Sequence, residues 1–189
     1  MGNILAVDTT GEAFSAALQA GRRVVSVHRV YARPHDETLL PAVDRLLRRA
    51  GLSMEELDAI AAASGPGRFT GIRIGMAYAA VAALCLGKPA LAVTRFEALA
   101  FDRKEERFCV VLEAFRGEKY YQFFKKGRPE GPPVWARELP RLDVPVVTGE
   151  PTAARLLGPA QRQLATRPRA FQPLYLKPAG YERPARPVR

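Results

Sequence analysis

Apolar and polar positions change their period several times along the chain, and each change predicts an element. Ile4-Leu5-Ala6-Val7 is an unbroken apolar run that ends in Asp8-Thr9-Thr10-Gly11, which predicts a buried strand followed by a turn. Ala13–Gln19 continues as a second strand and Arg22–Arg29 alternates as a third, joined through Ala20-Gly21. Three strands with short turns predict an antiparallel meander. After Pro34 the spacing becomes helical: Leu39, Leu40, Val43, Leu46 and Leu47 share a face, and Gly51 stops the helix. Ser53 and Glu56 stand at the spacing of a capping box. Asp58–Ala63 predicts a second buried strand, which runs straight into Ser64-Gly65-Pro66-Gly67-Arg68-Phe69-Thr70-Gly71. A long helix follows over about Thr70–Leu86, stopped by Gly87 and Pro89, then a strand at Ala90–Val93 and a short helix at Arg95–Phe101. The predicted order β-β-β-α-β-α-β-α is a mixed sheet with helices packed on it.

The charged stretch Asp102–Arg107 marks a boundary, dividing the chain into an N-terminal lobe, 1–101, and a smaller C-terminal lobe, 102–189. Beyond it, Phe108–Glu113 and Tyr120–Lys126 predict a strand pair across Phe115-Arg116-Gly117-Glu118. Val144–Thr148 and a short helix near Thr152–Leu157 complete the second layer. No repeat of 20–50 residues is present, so two β-rich lobes suggest a duplicated fold whose second copy is degenerate.

Charge enters the picture through its distribution. The 189 residues carry 29 Lys and Arg against 19 Asp and Glu, a net of +10. Residues 1–136 hold 19 basic and 15 acidic groups, and residues 137–189 hold 10 and 4. An Arg- and Pro-rich tail can meet nucleic-acid phosphates, and a compositional bias gives the same excess. Two cysteines, Cys85 and Cys109, exclude a disulfide scaffold and a cysteine-based zinc site and suit a reducing compartment. The N-terminus is too short and too soon acidic for a signal peptide, and the longest apolar run, Ile74–Gly87, falls short of the roughly 20 residues that span a bilayer. The expectation is a cytoplasmic protein with no membrane segment, its Ala- and Gly-rich run a buried helix.

Candidate chemistry is sparse. Gly65 and Gly67 around a proline make a tight strand-to-helix turn whose amides can hold an anion, although a turn that merely links strand to helix has the same spacing. The Walker A ending is absent. Asp8-Thr9-Thr10 stands where a sheet presents residues to a ligand crevice and could hold magnesium and phosphate, or serve as turn chemistry. Gly71, Gly75, Ala79 and Ala83, each four apart, form a smooth ridge that permits close backbone approach, either inside the domain or between subunits. His28 and His35 have no partner at helical metal-ligand spacing, and no nucleophile–base pair or telling carboxylate pair stands out.

Together these segments resemble the TsaB proteins. Asp8-Thr9-Thr10 resembles their start, as does His35-Asp36-Glu37-Thr38-Leu39-Leu40-Pro41 ahead of the first long helix. The stretch from Gly65 to Gly75 resembles their most specific signature, Glu113–Tyr121 their second-lobe hairpin and Pro173–Lys177 their closing segment. The resemblance covers residues 3–126 well and the remainder loosely. It departs at Glu113, where Asp is usual, at Arg68, where Ser is usual, and in a shortened second lobe.

The resemblance implies an α/β, two-lobed fold of the actin and heat-shock-chaperone ATPase type with ribonuclease-H-like mixed sheets. It implies a paralogue of TsaD, the glycoprotease-like catalytic subunit that transfers threonylcarbamoyl to the adenosine beside the tRNA anticodon. The expected role is a noncatalytic, accessory subunit that binds TsaD, with a TsaE-like ATPase as a further, indirect partner and the basic tail as a candidate tRNA contact. The histidine pair of the TsaD metal motif is absent. In the accessory role Asp8, Thr9, Thr10, Gly65 and Gly67 are expected as a vestigial phosphate site, whereas the alternative is a free-standing nucleotide-binding enzyme of the same fold, using Asp8, Thr9 and the Gly65–Gly67 turn around phosphates. No cofactor of its own is expected, with ATP or ADP at the joint with the partner. That joint is expected on two helices, through Leu39, Leu40, Val43 and Leu47 of the first and Gly71, Ile72, Gly75, Met76, Ala79 and Ala83 of the second, and the same face should close a homodimer in isolation.

Overall fold

The computed structural model describes residues 2–29, 35–166 and 169–177. Strands β1 (Ile4–Asp8), β2 (Phe14–Ala20) and β3 (Arg23–Arg29) form the expected antiparallel meander. Strands β4 (Ala59–Ala63) and β5 (Ala90–Val93) join β1 in parallel, so the first sheet runs β3-β2-β1-β4-β5. This mixed order is the ribonuclease-H-like arrangement that the resemblance implied.

The central strands are apolar throughout because both of their faces are covered. Leu5 and Val7 of β1, with Ile60 and Ala62 of β4, enter one core, under helices α1 (His35–Ala50) and α2 (Phe69–Leu86). Ile4 and Ala6, with Ala59, Ala61 and Ala63, enter a second core on the opposite face, under helix α4 (Ala153–Ala165). Helix α1 starts earlier than its apolar spacing suggested: the His35–Pro41 segment is inside it, with Pro41 on the exposed side. Proline removes one helical N–H there, and an exposed position lets water serve the freed carbonyl.

Helix α2 ends as predicted. Gly87 adopts φ 63°, and the amides of Gly87 and Lys88 bond Leu84 O and Ala83 O. With 18 residues and a mean hydropathy of 1.6, α2 is long and apolar enough on those grounds alone to cross a membrane. In the fold one of its faces lies on the sheet and the other is bare, so the expectation of a buried helix holds for one side only, a third of its residues.

The second sheet runs β10-β6-β7-β8, with β9 also on β7. Strands β6 (Arg107–Glu113) and β7 (Lys119–Lys125) are the predicted hairpin, and β10 (Val146–Thr148) joins β6 in parallel. The short strands β8 (Arg128–Pro129) and β9 (Val134–Ala136) carry too few residues to show a period.

Two local expectations change. Ser53 and Glu56 form only a turn, with the Ser53 amide donating to Glu56 Oε2 at 2.8 Å, because β4 begins three residues later. The complete capping box is at Thr94 and Glu97, at the start of α3 (Arg95–Ala100). Helix α4 runs through Gly158-Pro159, which reads as a stop, and it serves the first sheet rather than completing the second layer. Gly158 is needed because a side chain there would strike the Phe101 ring. Ser15 of β2 accepts the Ala153 amide at 2.8 Å and holds the start of α4 on that sheet.

Candidate functional site

Asp8, Thr9 and Thr10 follow β1 and are buried. Their polar groups are turned on one another and on α2. Thr10 donates its amide and its hydroxyl to Asp8 Oδ1 at 2.9 and 2.6 Å, an Asx turn. Thr9 Oγ1 donates to Gly71 O at 2.6 Å, and the Arg68 amide donates to Thr10 O at 2.7 Å.

The glycines of the Gly65–Gly75 signature admit this loop. A Cβ at Gly67 would stand 2.5 Å from Thr10 O, one at Gly75 2.5 Å from Thr9 Oγ1, and one at Gly71 would run into Thr9 O. Gly65, at φ 111°, is closed in by Leu174 O. Of the five residues read as a vestigial phosphate site, Asp8, Thr9, Thr10 and Gly67 therefore come together, whereas Gly65 faces Leu174 and Ile72. Thr10 O takes the amide of Arg68, the N-cap residue of α2, one of the donors that a phosphate there would use.

The ridge of small residues is internal, which corrects the expected interface. Gly71, Ile72, Gly75, Met76, Ala79 and Ala83 are the buried residues of α2, and Leu39, Val43 and Leu47 of α1 lie in the same core. Close backbone approach is used against the Thr9–Thr10 loop and β1, not against a second molecule. Of the residues expected at the joint only Leu40 faces outward, 63% exposed. The opposite side of α2 is bare and apolar, with Ala77 and Ala80 exposed, Val81 61% exposed and Leu84 82% exposed. Spacing could have found Val81 and Leu84, since they lie across the helix from the small residues.

Between the two sheets lies a cleft of about 720 Å³, lined in part by Thr10, Gly11, Arg68, Arg95, Tyr120 and Glu150. Arg95 is 3% exposed and its Nη2 lies 2.5 Å from Glu150 Oε1. Burial pushes the Tyr120 phenol up, with Glu118 acting in the same direction. Nothing in the spacing of Arg95 or Glu150 marks them, because each is a single charge at the end of a short element.

The closing segment spans both sheets. The Leu174 amide donates to Ser64 O at 2.7 Å, Tyr175 packs on Phe69 with ring centroids 4.9 Å apart, and Lys177 pairs with Glu118. That bond to Lys177 is the main reason the Glu118 carboxyl lies below its usual range. In the Arg-rich C-terminal segment expected to meet tRNA, Arg162 covers the Phe101 ring at 4.9 Å and Arg169 pairs with Glu97 at 2.5 Å. Arg167, Arg183, Arg186 and Arg189 lie outside the described residues.

Comparison with known proteins matches this architecture. The family model for TsaD, tRNA N6-adenosine threonylcarbamoyltransferase, matches residues 27–129, over half of the chain. The chain is 31% identical over 122 residues to the tRNA threonylcarbamoyladenosine biosynthesis protein TsaB of Haemophilus influenzae, covering 62% of this chain and 52% of that protein. It is 34% identical over 127 residues to the Escherichia coli protein of the same name, covering 65% and 55%. The chain thus spans about half the length of these relatives. The solved structure of YeaZ from Pseudomonas aeruginosa superposes with a TM-score of 0.80 at 29% identity, covering 93% of this chain and 100% of that one.

Proposed function

Because the chain belongs to the TsaD family and, within it, to the TsaB proteins, we propose that it is a noncatalytic subunit in the synthesis of threonylcarbamoyladenosine on tRNA. In this reading it docks a TsaD-type catalytic protein and organises it, while a TsaE-like ATPase is reached through that partner. ATP or ADP is then a ligand of the joint and not of this chain alone.

The observation that carries the reading is the bare side of α2. Val81 and Leu84, with Leu40 on α1, leave large apolar side chains in water, and such a patch marks a binding surface. The first sheet already has its cover from the other side of both helices. Without its partner the same patch pairs with a second copy about a two-fold axis.

The test is co-expression with a TsaD-type protein, using the untagged partner as the readout. Wild type should retain it through purification, and Leu84→Glu should release it without changing the circular dichroism spectrum. Retention by Leu84→Glu would move the joint elsewhere. The alternative of an independent nucleotide-binding enzyme expects micromolar binding of magnesium-ATP by the isolated chain, which calorimetry measures directly.

A further inference from the structure

Among the described residues that line the interlobe cleft, Arg95 is a buried cation whose guanidinium is only partly hydrogen-bonded. Its backbone is fixed: the Arg95 amide donates to Gly65 O at 2.8 Å, and the residue opens α3 directly after the Thr94 cap. Its guanidinium is 3% exposed, yet only Nη1 makes a hydrogen bond, a long one of 3.3 Å to Pro66 O. Nε and Nη2 are buried and have no hydrogen-bond partner among the described residues. The Glu150 carboxylate touches Nη2 at 2.5 Å, outside the alignment of a hydrogen bond, and Glu150 itself is 54% exposed. A buried cation left with unbonded donors is costly, and a guanidinium fork is shaped for two oxygens of one anion.

We propose that the cleft is a binding site for a small oxyanion, a carboxylate or a phosphate monoester, with Arg95 as its anchor and Glu150 as the internal carboxylate that gives way to it. Glu150 follows β10 and reaches over Gly11, where any side chain would collide with its carboxylate. Gly11 thereby keeps open the space in which an anion faces Arg95. At the cleft wall Arg68 adds an exposed guanidinium with no ion pair among the described residues. Glu12 and Glu113 also line the cleft, Glu113 bonded to Lys119 at 2.6 Å. These carboxylates oppose every anion and oppose a polyphosphate more than a ligand with a single anionic head, so only a ligand of low charge suits the site.

Calorimetry on the full chain tests the site, with inorganic phosphate and acetate as probes and chloride at matched ionic strength as the control. At least one probe should bind saturably. Glu150→Gln removes the competing carboxylate from an exposed position and should tighten binding about tenfold, the weight of one charge-assisted contact. Arg95→Gln should abolish binding. Because a buried position can fail to fold, circular dichroism accompanies that variant and Glu150→Gln carries the test if it fails. Tighter phosphate binding assigns a phosphate ester, and tighter acetate binding a carboxylate. No saturable binding, or equal affinity in Glu150→Gln and wild type, would overturn the site.

Discussion

At Gly71 the chain leaves no room for a methyl group, since its Cβ would run into Thr9 O, a backbone atom that cannot turn away. Gly71→Ala should destabilise the fold by about 3 kcal/mol, at the upper end of overpacking costs, as read by urea denaturation. Gly87→Ala is the contrast: nothing lies within 4 Å of its Cβ, so only the φ of 63° is strained and about 1 kcal/mol should be lost. The thiols also differ by environment. Cys85 is exposed, whereas Cys109 is buried in β6 and burial pushes its thiol up to about 11. A thiol reagent should therefore count one cysteine in the native protein and two in denaturant. The same burial pushes the Tyr78 phenol up to about 12. Both shifts favour the protonated form in the fold, so stability should be level below the unfolded thiol's range near pH 9. It should then fall as pH rises through about 11 and onward to 12. Cys109→Ala should remove the earlier part of that alkaline loss in thermal melts across pH.

Helix α2 is the element on which the functional reading turns, and its two sides predict opposite outcomes. Ala79 is 0% exposed, facing the sheet, and Val81 is 61% exposed. Ala79→Trp should unfold the protein, because a large ring has no space between helix and strand. Val81→Glu should stay folded and shift the isolated protein from dimer to monomer in light scattering, with circular dichroism as the folding control. A dimeric Val81→Glu would place the self-association elsewhere. The short helix α3 has the complementary job of joining cores: Ala98 packs toward α4, while Phe96, Leu99 and Ala100 pack toward the second sheet.

Over the whole molecule, cohesion between the sheets depends on chain segments far apart in sequence. The closing segment places Leu174 and Leu176 against the core of the second sheet while Leu174 also bonds Ser64 at the end of β4. Leu174→Ala should cost about 2 kcal/mol in urea denaturation, the low end for a leucine truncation because the side chain is only partly buried. Circular dichroism and tryptophan fluorescence should still report one transition, since α3 keeps the two cores in contact. Separate transitions by the two probes would show that the strap alone couples the sheets. Trp135 is a suitable reporter: it lies on β9 and donates to Glu118 at 3.0 Å, beside Lys177.

The meander, the parallel strands β4 and β5, the second-lobe hairpin and the Gly87 stop are legible in the sequence because each follows from local periodicity or backbone freedom. Two-sided burial makes Ile4–Val7 and Ala59–Ala63 continuous apolar runs, and no distant contact is needed to read them. Other features were decided only when the chain closed on itself. Helix α2 is apolar all round, so its pattern cannot say which side meets the sheet, and the Thr9–Thr10 loop chose the small-residue side. Asp8, Thr9 and Thr10 carry the same groups in a turn or at a ligand, and only the position of α2 brings Thr9 onto Gly71 while Thr10 bonds Asp8. Helix α4 lies in the C-terminal lobe by sequence, yet its apolar stripe found the open face of the first sheet. The burial of Arg95 beside Glu150 depends on the docking of two sheets, and long-range packing of that kind leaves no mark on local spacing.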